Sequence, residues 1–333
     1  MGQLARACEV WGDALCGARQ EKKSKVNYGM VDFRDPETEV ENPPIKTQQQ
    51  LLAEQKIEPG ESPKLRELLQ NLDELEISNP HTLSYLSRIR ERHGDDTTES
   101  ICERLSGFLE ESEDVDFACD IVEDGLHDMA FPAHVDQCSR ETCGPTAAQM
   151  MLAVHRPDEY TRLLTELASG RSVKMKGGDT LKPNTINLNN DEDTRSNSCK
   201  LIQDSFSKYM GCRHVDQGTS SLGMGPLMKQ LYGTSKLQPD TFVAHSGADM
   251  WNYMEDDIAQ GWPVIVGFGG HWVLGVGIDR TGDEPQVIVN TWGEQLSLGQ
   301  EEFKRQTYAV IDYDDPGSDN RKVPDGEISM LSD

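Results

Sequence analysis

The chain has 333 residues, a formal net charge of -26, a pI near 4.6 and 36% hydrophobic residues. So large an acidic surplus repels phosphate backbones and anionic bilayer surfaces, which are bound through clustered Lys and Arg, and this excludes nucleic acid as an expected partner. No apolar run approaches the roughly 20 residues that cross a bilayer, and the opening MGQLARACEVWGDALCGARQEKK has no unbroken apolar stretch before its charges, so neither a membrane span nor an ordinary secretory signal is expected.

Residues 1–60 combine the Pro-bearing VENPPIK with the Gln-rich TQQQLLAEQK and few aromatic anchors, a composition expected to be largely flexible. Gly2 would be a myristoylation acceptor, but Arg6 stands where that motif needs Ser or Thr. Residues 61–130 change character. Leu65, Leu68, Leu69, Leu72 and Leu75 recur at helical spacing behind the start signal Ser62-Pro63. Similar segments run from Asn79-Pro80 through Ile89, from about Thr98 through Leu109, and from about Val115 through Met129, predicting an acidic helical bundle whose Leu and Ile positions form its core.

Residues 131–315 form the next expected unit. A loop bearing Gln137 leads into a helix, residues 170–197 read as a polar surface insertion, and helices follow at 197–209 and 225–232. The period then changes to strands in VIVGFG (264–269), HWVLGVGID (271–279) and QVIVNTW (286–292), with a turn at RTGDEP. Residues 316–333 complete the chain as an acidic tail.

The eight cysteines (Cys8, Cys16, Cys102, Cys119, Cys138, Cys143, Cys199, Cys212) are irregularly spaced, which predicts reduced thiols rather than a secreted disulfide framework. Only Cys138 and Cys143 lie close together, with no second matching pair, so the spacing implies no metal site, and nothing implies a cofactor. Cys143 precedes Gly144-Pro145 and the helically spaced Ala147, Met150, Met151 and Val154, which puts its thiol in the first turn of a helix. Free N–H groups there are expected to favour the thiolate and lower the thiol pKa.

Gln137, six positions earlier, can offer a side-chain N–H to an oxyanion formed at the attacked carbonyl. His271 opens a strand after Gly269-Gly270, and a base at that edge, facing the thiol, completes a Cys/His pair. Asn290, in the next strand, falls on the face of His271 if the hairpin is regular and can orient its ring. A symmetric turn around residues 282 and 283 instead faces His271 toward Glu294, so both orienters stay open; Asp279 lies at the far end of the strand.

Gln137, CGP at Cys143, GHW at His271 and NTWG at Asn290 stand in an order that resembles papain-like cysteine peptidases, and the first block is similar to the bacteriocin-leader-processing peptidases. The resemblance implies an α+β, papain-like domain, its nucleophile helix packed on an antiparallel sheet, preceded by a helical region. It implies that Cys143 attacks an acyl carbon, His271 moves the proton, Gln137 helps bind the oxyanion, Asn290 orients His271 and Trp292 shields that contact. Pro145-Thr146 and Asn290 depart from papain and from the bacteriocin group respectively, which leaves the subfamily open. The expected activity is cleavage of a protein substrate through a thioester. A glutamine deamidase or acyl transferase would use the same groups, and a non-catalytic interaction module is the third reading. The layout is similar to bacterial effectors, hence an expected location in the cytoplasm or delivery into another cell.

Overall fold

The structure, a computed structural model, describes residues 62–74, 80–190, 192–211, 221–233 and 247–311. The expectations for residues 1–60, the 316–333 tail, Leu75, Cys8, Cys16 and Cys212 lie outside the described residues.

Four helices open the described chain: α1 (Pro63–Glu74), α2 (Pro80–His93), α3 (Asp95–Glu111) and α4 (Val115–Ala130). Their starts follow local chemistry. Ser62 Oγ accepts the Leu65 N–H ahead of Pro63, and Asp114 Oδ1 accepts the Phe117 N–H ahead of α4. Leu68, Leu86, Ile101, Leu105 and Ile121 are fully buried where these helices meet, each contributing about 1.5–3 kcal/mol relative to exposure.

A short 3-10 turn (Pro132–His134) and the loop with Gln137 lead to α5 (Cys143–His155) and α6 (Pro157–Ala168). Two two-residue strands, β1 (Val173–Lys174) and β2 (Thr180–Leu181), pair as a small hairpin before α7 (Asn197–Tyr209) and α8 (Ser221–Tyr232). Helix α9 (Gly247–Ala259) precedes β3 (Val264–Phe268), β4 (His271–Asp279), β5 (Gln286–Thr291) and β6 (Glu294–Gly299); α10 (Gln300–Gln306) and β7 (Thr307–Ile311) follow. The sheet is antiparallel throughout, in the order β6-β5-β4-β3-β7. Mixed helix and antiparallel sheet behind a helical N-terminal region is the α+β architecture expected of a papain-like domain.

Strand alternation gives the sheet two apolar faces. Ile265, Trp272, Leu274, Ala309 and Ile311 join one core with α5 and the α1–α4 helices, whereas Val264, Val266, Val273, Val287, Val289 and Val310 join a second with Met250, Trp251 and Met254 of α9. One expectation fails within residues 170–197. Val173, Met175, Leu181, Asn187, Asp193 and Arg195 of this stretch are buried, because its charged side chains pair with each other and with α7 instead of facing water.

Candidate active site

Cys143 is the first residue of α5 and is 8% exposed. Thr142, at the N-cap, gives its hydroxyl to Gln203 Oε1 at 2.8 Å rather than to its own helix, so no side chain caps α5. The backbone N–H groups of Trp272, Gly144 and Cys143 bond toward the thiol and favour its ionised form. Burial acts the other way and dominates, with the Glu141 charge adding to it, so the thiol lies above its ordinary range. The expected lowering at a helix start is therefore reversed by desolvation.

Trp272 is the neighbour of His271, so its N–H on the Cys143 sulfur brings the start of β4 against the start of α5. Two tight turns shape this end of the sheet. Phe268 pairs with His271 across Gly269-Gly270, whose φ values are 56° and 84°, and Thr291 pairs with Glu294 across Trp292-Gly293, at 49° and 71°. Two consecutive left-handed residues suit a two-residue hairpin. Glycine adopts that backbone freely; Trp292 does not, and its strained conformation carries the indole onto the His271 ring at a centroid distance of 4.0 Å and 14° between planes. His271 is 9% exposed, and burial lowers its pKa to about 4, so the imidazole is neutral at neutral pH.

The β4–β5 register differs from the regular hairpin expected from the sequence. Near the turn the β4–β5 hairpin has the symmetric register, with Asp279 opposite Gln286, but the register shifts between Gly275 and Gly277, leaving Val276 as the extra residue. Beyond the bulge Leu274 faces Asn290. One residue of slip exchanges the two faces, so Asn290 shares a face with Leu274, and Thr291 shares one with His271. Accordingly His271 Nε2 and Thr291 Oγ1 are hydrogen bonded at 2.6 Å, while Asn290 Oδ1 accepts from Gln295 Nε2 at 2.9 Å. Glu294 is exposed at the start of β6, and Asp279, at the far end of β4, accepts from Thr281. None of these three is hydrogen bonded to the His271 ring.

Gln137 is 7% exposed, and its Nε2 donates to the Arg140 carbonyl at 2.6 Å, leaving a second N–H on the same nitrogen. The loop it belongs to folds back sharply. Cys138 has φ 51° and its N–H bonds Asp136 Oδ1 at 2.9 Å; Asp136 also lies against Gly293, where an added Cβ would come within 3.2 Å of it. The Gln137 loop and the Trp292-Gly293 turn are thus packed together. Thr291 escaped the sequence reading because only the bulge brings it to His271; the Gly275-Val276-Gly277 triplet was the one available sign of irregularity.

No curated protein and no solved structure matches the chain. Residues 130–315, more than half of the chain, match the profile described as the Peptidase_C39 like family. The matched span begins at the end of α4 and takes in the Gln137 loop, Cys143, His271 and Thr291, and on that match the chain belongs to the Peptidase_C39-like family.

Proposed function

We propose that this protein is a cysteine peptidase that cleaves a protein substrate through a thioester on Cys143. The observation that carries the reading is the convergence on one sulfur of the uncapped start of α5 and the N–H of Trp272, the residue next to His271. Family membership supports the reaction class.

The electrostatics favour a neutral resting pair over a thiolate and imidazolium, since burial raises Cys143 and lowers His271. In the tautomer whose Nε2–H donates to Thr291 Oγ1, Nδ1 of His271 is the ring atom that takes a proton. As the Cys143 sulfur bonds to the carbonyl carbon, its proton passes to His271 and the carbonyl π electrons move onto oxygen. The second N–H of Gln137 Nε2 and the Cys143 backbone N–H stabilise that oxyanion. Collapse expels the amine, which leaves with the His271 proton. Water then attacks the thioester, giving its proton to His271, which returns it to the sulfur. Thr291 takes the orienting role expected of Asn290, and Trp292 keeps water from the imidazole.

The substrate is a peptide segment whose carbonyl reaches the Cys143 sulfur. Among the described residues no helix is long and apolar enough to cross a membrane. Incubating the full chain with a diverse peptide pool, and following product masses against a Cys143→Ala control, tests the proposal. Cysteine-dependent shortening supports it. A gain of about one dalton without cleavage would replace it with side-chain deamidation by the same thioester chemistry.

A further inference from the structure

Gln203, on α7, is fully buried and uses all four of its hydrogen-bonding positions. Nε2 donates to the Asp136 carbonyl at 3.2 Å and to Gln149 Oε1 at 3.0 Å. Oε1 accepts from the Thr142 hydroxyl at 2.8 Å and from Arg195 Nη1 at 3.1 Å. Asp136 and Thr142 are the two ends of the loop that carries Gln137 and delivers the chain to Cys143, so one side chain ties both ends.

Arg195 holds Gln203 in turn. Its side chain is fully buried, with Nη2 2.7 Å from Asp193 Oδ2 and 3.0 Å from Asp204 Oδ1. Asp204 also accepts from Asn187 Nδ2 at 2.7 Å. Asp193 reaches the middle of the same loop, where Arg140 Nε lies 3.4 Å from its Oδ2, and the Arg140 carbonyl is the group that Gln137 grips. On the other side Gln149 Nε2 donates to Asp128 Oδ2 at 3.0 Å, an oxygen that also accepts from Tyr160 and Ser198. A buried polar cluster satisfied to this degree has one geometry available, and stiffens whatever is attached to it.

Building on the cysteine-hydrolase reading, we propose that Gln203, locked by Arg195, is a positioning residue that fixes the 136–142 loop so that the Gln137 amide and the start of α5 meet the oxyanion. The catalytic groups remain Cys143, His271 and Gln137. Gln203 touches no substrate and acts through the loop.

The test compares two reactions of the same thiol in the full-length protein, mapped by peptide mass. In acylation by p-nitrophenyl acetate the sulfur bonds to the acetyl carbon, p-nitrophenolate leaves and the thiol proton goes to His271; this passes through an oxyanion. Alkylation by iodoacetamide displaces iodide at carbon and forms no oxyanion. Gln203→Met keeps the size and removes the clasp. The expected result is a loss of about tenfold or more in Cys143 acylation, with alkylation changed by less than about threefold. Amides 137–142 should also exchange faster with deuterium while α7 stays protected.

Should Gln203→Met fail to fold, Thr142→Val, which drops only the hydroxyl, should show the same selective loss and Thr142→Ser should restore it. Equal loss in both reactions, or none in either, overturns the clasp while leaving an acylated wild type in place. A wild-type Cys143 that alkylates but is not acylated overturns the hydrolase reading instead, and with it the catalytic purpose of the clasp.

Discussion

His271 Nε2 lies 2.6 Å from Thr291 Oγ1 because the Val276 bulge exchanges the faces of β5 relative to β4. Thr291→Val keeps the shape and removes the hydroxyl. Cys143 acylation by an active ester is expected to fall about ten- to a hundredfold, because an unheld base spends less time in line with the thiol. Thr291→Ser should retain most of the rate. Asn290→Ala loses the Gln295 bond and about 1 kcal/mol of stability by urea unfolding, with acylation changed only a few-fold. Silence in Thr291→Val with a large loss in Asn290→Ala would return the orienting role to Asn290.

Burial lowers His271 from 6.5 to about 4. Between those values the unfolded chain binds a proton that the native site refuses, so the His271 contribution to stability is complete above pH 6.5 and is lost as pH falls toward 4. At about 1.4 kcal/mol per unit, the contribution is on the order of 3 kcal/mol. Urea unfolding at about pH 7 and pH 4.5 should show this loss, and His271→Gln should remove His271's share of it.

Stacking of Trp292 on His271 is part of that burial. Trp292→Ala should therefore move the imidazole titration upward from about 4 toward 6.5, as followed by histidine ring NMR shifts. An unmoved titration would mean that the rest of the site, not the indole, excludes water.

Asp124 carries the opposite sign. Burial, and then the charge of Asp128 one turn away, raises its carboxyl from 3.8 to about 7, against bonds from the Ser198 and Asn197 N–H groups. A raised acid favours the native state fully below 3.8, and that contribution is lost as pH rises through about 7. Asp124→Asn should stabilise the protein at about pH 8, by on the order of 1 kcal/mol or more, and flatten its profile above pH 5. Thermal unfolding at the two pH values decides this.

Much of this architecture was legible because burial there follows simple periods. The Leu65-Leu68-Leu69-Leu72 stripe predicts α1, and Val-rich runs predict β3, β4 and β5 within a residue of their observed ends. Helices α6 and α9 were not anticipated. In α9 the buried set Met250, Trp251, Met254 and Ile258 is interleaved with Asp249, Glu255, Asp256 and Asp257, and its acidic surface masks a narrow apolar seam. At the site, Cys143, His271 and Gln137 stand out as local motifs. Thr291 depends on a bulge that only the Gly275-Val276-Gly277 triplet hints at, and Gln203 on a tertiary network that leaves no mark in its neighbouring residues. Arg195 misleads actively, since a polar, Asn- and Asp-rich context reads as solvent while the guanidinium is fully buried between two carboxylates.

Cys143 as nucleophile and neutral His271 as its base can be tested together. The most direct test is the pH dependence of peptide-mapped acylation of the native chain, beside Cys143→Ala and His271→Ala. Acetyl transfer confined to Cys143 is expected, rising through about pH 4 as His271 becomes neutral and level beyond it. In His271→Ala the onset should move above the ordinary thiol value of 9.0, since only the thiolate then reacts. An onset unchanged by removing His271, or a Cys143 acylated no faster than the other thiols, would contradict it.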